Sequence, residues 1–443
     1  MDKINLELSL KNIRSNFSDI KDRVLFLTFS LIIFRLGSFI PIPGIDIFKL
    51  TKLLNHQSGT VFDMLNMFSG GALSRASIFS LGIMPYISSS IIIQLLTFIY
   101  PAWKNLKKDG EVGRIKINQY TKYLTLIIAL IQASGIVFSL KNIPGIKDLV
   151  YELDSCFYIT AITSLVTGTI FLIWLGDLIT ENGIGNGISV MIFSGIVAHL
   201  PVAVLDTISE LIAGKLNFFI FLLVLILIFF TIFLVVFIER SQRRIPIYYS
   251  NQRQRNKIYF LQTSHLPLKI NMSGVIPAIF SSSIILFPLT ISSWLKGYNK
   301  YSMNIFNIVF DNLQPGTPVY MFLYAVSIIF FCFFYTNLAF NSRETSNNLK
   351  KSGAFIQGIR PGENTSNYIK KIMFKLTCIN AIYIVLICLI PEFMRREMNV
   401  PFYFGGTSLL IVVVVVIDLI TQIQTLLMSK QYESSFKRAN LNL

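Results

Sequence analysis

The chain has 443 residues, of which 53% are hydrophobic and 14% charged, and its formal net charge is +16. This charged fraction and a mean hydropathy of +0.61 exclude an ordinary soluble domain, in which roughly a quarter of the residues are charged. The composition instead predicts a protein of the lipid bilayer. The four cysteines and three histidines are scattered without metal-ligand spacing. We therefore expect no metal site, and we expect packing roles for the cysteines rather than disulfides.

Hydropathy predicts ten membrane-spanning helices, since a span needs roughly 20 mostly apolar residues. They are expected at about 24–41, 78–100, 123–140, 157–175, 186–204, 218–238, 274–291, 318–340, 372–390 and 403–427. Residues 1–23 are polar and basic with loosely spaced aliphatic side chains. This pattern predicts an amphipathic helix on the membrane surface and no cleavable signal peptide.

The distribution of positive charge predicts the orientation, because cytoplasmic segments of membrane proteins are enriched in lysine and arginine. With a cytoplasmic N-terminus, 28 of the 39 lysine and arginine residues lie in inner segments and 10 in outer segments. The remaining one, Arg35, lies within the first span and is expected to snorkel outward or to pair with a neighbour. We therefore expect both termini in the cytoplasm. The tail at 428–443 and two long loops at 239–271 and 341–371 are then cytoplasmic too.

The second and seventh spans carry the same motif. Residues 82–93 and 274–285 both read G-x-x-P-x-I-x-S-S-x-I-I, 192 residues apart. Ten spans divide into two halves of five, 24–205 and 206–427, and an odd number inverts the second half relative to the first. Interrupted spans at matching positions predict a pathway between the halves, with helices bent at Pro85 and Pro277. The predicted fold is all-α, with two inverted five-helix halves around a central pore.

The spans contain few of the groups that a coupled transporter uses. Such transporters hold a carboxylate or histidine near the bilayer midplane to bind and release the coupling ion. Here Asp177 and Glu181 lie at the inner end of the fourth span, and Asp418 lies in the inner half of the tenth. A secondary solute transporter is disfavoured but stays open as an alternative. A membrane scaffold without a conducting path is a second alternative.

Isoleucines recur at helical spacing in the predicted pathway. Ile83 and Ile87 share one face of the second span, Ile188 and Ile192 repeat that spacing in the fifth, and Ile279 is the repeat partner of Ile87. Such residues usually contact lipid or core, but a ring of them at a constriction would form a dewetted seal against ions. The sequence contains no P-loop, zinc-protease motif or nucleophile elbow. We therefore expect no enzyme, and the energy for transport must come from elsewhere.

Two polar regions border the spans. Residues 62–77 are too polar to cross a membrane and contain Gly70-Gly71, so they predict either a mobile re-entrant piece or an ordinary external loop. The loops at 239–271 and 341–371 carry clustered arginine and lysine, which suit RNA phosphate, an acidic protein or anionic lipid. Alternatively, these charges only enforce the orientation of the chain.

Several long motifs identify a family. They are residues 34–44 (FRLGSFIPIPG), 66–77 (NMFSGGALSRAS), 183–189 (GIGNGIS), 264–269 (SHLPLK), 358–362 (GIRPG), 401–411 (PFYFGGTSLLI) and 431–434 (QYES). In these motifs the chain resembles, essentially from end to end, the SecY/Sec61-alpha family of translocase channel subunits. The resemblance implies two inverted clamshell halves around an hourglass pore, with a lateral gate between spans 2–3 and 7–8.

The resemblance also implies functional residues. By similarity, the pore ring falls on Ile83, Ile87, Ile188, Ile192, Ile279 and Ile411. The plug is expected to be the helix around 66–74, within Asn66, Met67, Phe68, Ser69, Gly70, Gly71, Ala72, Leu73, Ser74 and Arg75. Helix bends and polar groups that weaken apolar packing would serve the gate, and these hinge and seam positions are Gly82, Pro85, Ser88, Ser89, Gln94, Gly274 and Pro277. Cytoplasmic partners are expected on Arg243, Arg244, Arg253, Arg255, Lys257 and Arg360.

The function implied by the resemblance is passage of unfolded secretory polypeptides across the bacterial cytoplasmic membrane, with lateral release of hydrophobic segments into it. The implied partners are SecE and SecG in the membrane, the ATPase SecA or the ribosome on the basic loops, signal peptides, nascent chains and lipids. No cofactor is expected, and energy would come from the ATPase, the ribosome or the proton-motive force. Residues 251–257 read NQRQRNK where relatives carry a basic cluster, so fewer charges are available for docking there.

Overall fold

The structure, a computed structural model, describes residues 2–45, 66, 69–140, 155–214, 217–249, 263–295, 316–398 and 406–441. The helices of the first half are α1 Asp2–Gly37, α2 Met84–Ile99, α3 Pro101–Lys108, α4 Glu111–Leu140, α5 Ser155–Asn182 and α6 Gly187–Ile212. Those of the second half are α7 Phe218–Arg240, α8 Ile276–Leu295, α9 Pro318–Ala339, α10 Ser342–Lys351, α11 Glu363–Met398 and α12 Gly406–Leu441. Three strands lie between them, β1 Gln242–Tyr249, β2 Thr263–Lys269 and β3 Ala354–Phe355.

The helices are those of a membrane protein. Within the described ranges, seven helical segments are long and apolar enough to cross a bilayer, and they contain α4, α5, α6, α7, α9, α11 and α12. The pair α2 and α3, bent by 104°, is an eighth candidate, and Ile276–Pro288 in α8 is a shorter apolar helix. The predicted surface helix at 1–23 is continuous with the first span, since α1 runs from Asp2 to Gly37. The count of ten spans stays a prediction.

The repeated G-x-x-P motif begins helices instead of bending them. The φ angle is +55° at Gly82 and +61° at Gly274, in the left-handed region that glycine tolerates best. Pro85 and Pro277 then occupy the second positions of α2 and α8, where a missing N–H costs nothing because first-turn N–H groups have no partner within the helix. The expected bends at these prolines are therefore wrong. The second span is helical from Met84, not from residue 78.

The two halves meet along two seams. On one side, α8 of the second half packs against α2 and α4 of the first half. On the other side, α12 packs against α6 and α1. A single hydrophobic cluster between the seams contains side chains from both halves, so the centre of the molecule is built jointly by them.

The basic loops form a small sheet, which the all-α prediction did not include. Strand β1 pairs with β2 as an antiparallel hairpin and with β3 of the other loop, where Tyr248 lies opposite Phe355. Ile245 and Ile247 point inward, with 3% and 4% of their surface exposed. This period of two is the signature of a strand with one buried face, and it was the sequence signal that could have predicted β1.

Candidate functional site

The six predicted ring isoleucines come together at the centre of the molecule. Five of them are buried members of one hydrophobic cluster, and the partly buried Ile188 packs against it. The five are Ile83 before α2, Ile87 in α2, Ile192 in α6, Ile279 in α8 and Ile411 in α12. Branched aliphatic side chains that converge from both halves meet the requirement for a dewetted seal. Their role as a pore ring stays a prediction.

Residues 69–83 lie against this cluster as a series of turns. Ala72 is one of its fully buried members. Gly70 and Gly71 have φ angles of +71° and +82°, which stop a right-handed helix. Residues 69–74 therefore do not continue the helix predicted around 66–74, although Asn66 itself is helical, and Met67 and Phe68 lie outside the described residues.

Side chains close these turns together with backbone hydrogen bonds, such as those from Gly71 N to Asn66 O at 2.8 Å and from Ser77 N to Ala72 O at 2.9 Å. The backbone N–H of Ser74 donates to Asn66 Oδ1 at 2.9 Å, and that of Leu73 donates to Ser69 Oγ at 3.2 Å. Short polar side chains compete with the helix in this way because they accept hydrogen bonds from nearby backbone groups. The polar side chains that set residues 62–77 apart in the sequence thus help to form the turns. We call residues 69–80 the plug segment after their predicted role, which stays a prediction.

The plug segment is seated directly on α6. A Cβ atom at Gly70 would lie 3.1 Å from Gly195 Cα, and one at Gly71 would lie 3.0 Å from His199 Nε2. The double glycine is therefore required by close approach as well as by backbone conformation. Arg35 of α1 fixes the same segment from the other side, because its Nη1 donates to Gly70 O at 2.8 Å. Arg35 is thus paired with a neighbouring group, which was one of the two options predicted for it.

Aromatic side chains that the sequence did not single out hold the end of the plug segment. The ring of Phe79 is stacked between Phe34 of α1 and Phe171 of α5, with centroids 6.2 and 5.9 Å away and planes inclined by 9°. A Cβ atom at Gly37 would lie 2.0 Å from the Phe79 ring. These contacts join residues distant in sequence, and no local pattern marked them.

Gly70→Ala is expected to destabilise the plug segment, and the cost should exceed that of the backbone strain alone. A left-handed non-glycine residue costs roughly 1–2 kcal/mol, and at Gly70 the added methyl also meets the α6 backbone. Gly214→Ala is the matched control, because Gly214 has the same φ of +71° with no atom within 4 Å of a Cβ. Hydrogen exchange of the amides at 72–80 should accelerate in Gly70→Ala and stay at wild-type rates in Gly214→Ala. Equal protection in both variants would contradict the seating on α6.

The predicted seam residues of α2 make their hydrogen bonds within their own helix. Ser88 Oγ donates to Met84 O at 3.1 Å, and Ser89 Oγ donates to Pro85 O at 2.8 Å. Beside the seam, α2 also makes an aromatic contact with α9 of the second half. Phe98 of α2 packs edge-on against Phe334 of α9, with ring centroids 5.3 Å apart.

The predicted docking residues are divided between described and undescribed segments. Arg243 and Arg244 are exposed on β1, and Arg360 is exposed in the turn after β3. The backbone at Arg360 is held by Thr365, whose Oγ1 donates to Arg360 O at 3.0 Å. The other three, Arg253, Arg255 and Lys257, lie outside the described residues.

The site is built from apolar and backbone groups. All four cysteines are free, and Cys332 and Cys388 are buried. Within the described part of the chain, histidine, cysteine and carboxylate side chains form no group of three that could hold a metal ion. The described side chains of the central cluster offer apolar contact.

A comparison with models of protein families matches residues 77–420 to the SecY family. The chain belongs to the SecY family. This confirms the resemblance predicted from the sequence motifs. Among SecY relatives, the protein translocase subunit SecY of Buchnera aphidicola subsp. Schizaphis graminum is 61% identical over 437 residues, which cover 99% of each chain. That of Escherichia coli K12 is 59% identical over 434 residues, which cover 98% of each.

Solved structures show the same fold. A protein conducting channel aligns with a TM-score of 0.64 at 18% identity, over 93% of each chain. Sec61 in a canine ribosome–channel complex from the endoplasmic reticulum aligns with a TM-score of 0.61 at 17% identity, also over 93% of each. The predicted helical fold of a SecY-type channel is thereby confirmed.

Proposed function

We propose that this SecY-family chain is the central subunit of a protein-conducting channel. It passes unfolded polypeptides across the membrane and releases hydrophobic segments sideways into it. One observation carries the proposal: the six predicted ring isoleucines from both halves converge in and against one apolar cluster, to which Ala72 and Phe79 of the plug segment also belong. A cargo of any sequence needs a seal that binds no particular side chain, and aliphatic side chains can yield around a strand and close again. The names of the relatives, protein translocase subunit SecY, support the same function.

The seam between α8 and the pair α2 and α4 suits sideways release. Because Ser88 and Ser89 are satisfied within α2, separating the helices there need not break their hydrogen bonds. The neighbouring contact between Phe98 of α2 and Phe334 of α9 is apolar, and lipid or a hydrophobic segment replaces such a contact at low cost. We assign the lateral gate to this seam, with Gly82 and Gly274 as its hinge positions.

Partners are assigned by surface chemistry. The exposed Arg243, Arg244 and Arg360 suit a polyanionic or acidic partner, and we propose that SecA or the ribosome docks there and supplies the energy, together with the proton-motive force. SecE and SecG are the proposed membrane partners. The proposed location is the bacterial cytoplasmic membrane with both termini inside. The halves divide between α6 and α7, because the predicted boundary at residue 205 lies within α6, which runs to Ile212.

Polypeptide capture tests the channel. A single cysteine at Ile87 or Ile279 is placed in a complex whose four native cysteines are replaced, since Cys332 and Cys388 belong to the same central cluster. A secretory chain carrying a cysteine is then stalled in it. We expect disulfide capture at both positions, because both line the proposed path. Phe229→Cys is the control, since this α7 side chain is 70% exposed.

Capture at neither ring position, with stalling verified, would contradict the channel and favour a transporter or a scaffold. Capture at Phe229 alone would mean that the polypeptide passes along the lipid-facing surface of the protein.

A further inference from the structure

Buried polar side chains form a continuous hydrogen-bond chain at the start of α8. Asn380 Nδ2 donates to Ser273 Oγ at 2.9 Å, and Ser273 Oγ donates to Asn271 Oδ1 at 3.1 Å. Asn271 Nδ2 then donates to Glu239 Oε1 and, at 3.3 Å, to Gly274 O. Successive donors run from Asn380 toward the Glu239 carboxylate, so the bonds polarise one another in the same sense.

This chain joins three separate parts of the second half. Glu239 lies in the last turn of α7, Asn271 and Ser273 lie between β2 and α8, and Asn380 lies in α11. Asn271 is 4% exposed, and Ser273 and Asn380 are each 1% exposed. At such burial, water does not compensate a donor or acceptor that loses its partner. The bonds therefore hold the segment before α8 in one arrangement.

A hinge position follows the held residues directly. Gly274 has a φ of +61°, and no atom lies within 4 Å of the place where its Cβ would be. Two residues later α8 begins, at Ile276. On the other side, Ile270 N donates to Ser241 O at 3.2 Å and closes the base of the hairpin formed by β1 and β2. A displacement of this hairpin therefore acts first on Asn271 and Ser273.

We propose that the chain Asn380–Ser273–Asn271–Glu239 is a latch that holds α8 against α2 and α4. A partner that displaces the β1–β2 hairpin breaks this latch and thereby opens the seam. The inference rests on the proposed function, because it names how the same gate is regulated. The latch can control the seam because α8 itself contacts α2 and α4. The angle at which the chain leaves Gly274 therefore sets whether α8 lies against these two helices.

The latch is tested by Ser273→Ala and Asn380→Leu, alone and together, in the assembled complex. The readout is disulfide formation between Phe98→Cys on α2 and Phe334→Cys on α9, the helix that packs on α8, because the two rings are in contact with centroids 5.3 Å apart. Cys156 and Cys378 are replaced by serine. Asn380→Leu should raise the open-to-closed ratio roughly two- to tenfold, the effect of one net buried hydrogen bond, and Ser273→Ala, which removes two bonds of the network, should raise it at least as much. Because both single changes remove the same bond, the double variant should match the larger single effect.

Thr377→Val is the matched control. Thr377 lies on the same helix as Asn380 and is 4% exposed, but its Oγ1 donates only to Met373 O within that helix, at 2.9 Å. It should leave the disulfide yield at the wild-type level. With purified SecA or ribosomes bound, the yield should fall in the wild type and change little further in Ser273→Ala.

Wild-type yields in both latch variants, or an equal loss in Thr377→Val, would overturn the latch. A full wild-type response to the partner in Ser273→Ala would overturn the coupling to the hairpin. Ser273→Ala removes a single oxygen, so the test holds even where Asn380→Leu fails to assemble. The disulfide readout needs no transported polypeptide. Failed polypeptide capture at Ile87 and Ile279 would therefore overturn the channel and leave the latch result intact.

Discussion

Replacement of both Ile87 and Ile279 by serine is expected to make the resting channel leak ions, raising basal conductance roughly tenfold or more through loss of the dewetted seal. The two side chains are 6% and 7% exposed and belong to one apolar cluster contributed by α2 and α8. Serine is shorter and carries a hydroxyl, so it both widens the constriction and hydrates it. The measurement is the conductance of purified complex in planar bilayers, without a translocating chain.

Ile93→Ser is the control for this substitution. Ile93 lies on the same helix and is 4% exposed, but it does not belong to the central cluster. A buried large-to-small change costs about 2–5 kcal/mol at any of these positions, so the control reports the effect of lost stability alone. A folded double variant with wild-type basal conductance would remove these isoleucines from the seal.

Arg360→Glu is expected to reduce SecA-driven export by roughly an order of magnitude or more, since a reversed charge turns a docking contact with an acidic surface into repulsion. The guanidinium is exposed, while the backbone is held by Thr365, so the substitution should leave the fold and assembly with SecE unchanged. The measurement is the export rate of a secretory protein into membrane vesicles at two salt concentrations. The defect should shrink at high salt because exposed charges are screened.

Two further variants separate charge from geometry. Arg360→Lys keeps the charge but loses the planar fork of donors, so it should export at an intermediate rate. Lys116→Glu makes the same charge change at an exposed residue of α4, outside both basic loops, and should export normally. Normal export by Arg360→Glu would exclude Arg360 from docking.

Hydropathy predicted where the chain crosses the membrane, but not how far each helix continues beyond it. The span predicted at 123–140 is part of α4, which begins at Glu111, and the one at 403–427 is part of α12, which ends at Leu441. The apolar content of a segment indicates whether it contacts lipid. A helix, however, can continue beyond the lipid through polar residues, because these also form its backbone hydrogen bonds. The composition therefore could not predict where the helices end.

The G-x-x-P repeat was correctly recognised in the sequence, but the local structure predicted for it was wrong. Glycine and proline were read as a bend within a span, yet Gly82 and Gly274 end turns, and Pro85 and Pro277 begin helices. Both residue types suit both settings. The backbone that precedes each motif decides whether the motif bends a helix or begins one. In the first half, that preceding backbone is the plug segment.

The sequence by itself determined that the chain is a helical membrane protein of the SecY family, because apolar run length and long motifs are local properties. It also determined the candidate ring residues, through the repeat and the resemblance. Tertiary structure alone decided that these isoleucines share one cluster, that Arg35 binds Gly70 O, and that Asn380 binds Ser273. The physical reason is that burial and hydrogen bonding between distant segments depend on which helices pack together, and no local pattern carries that information.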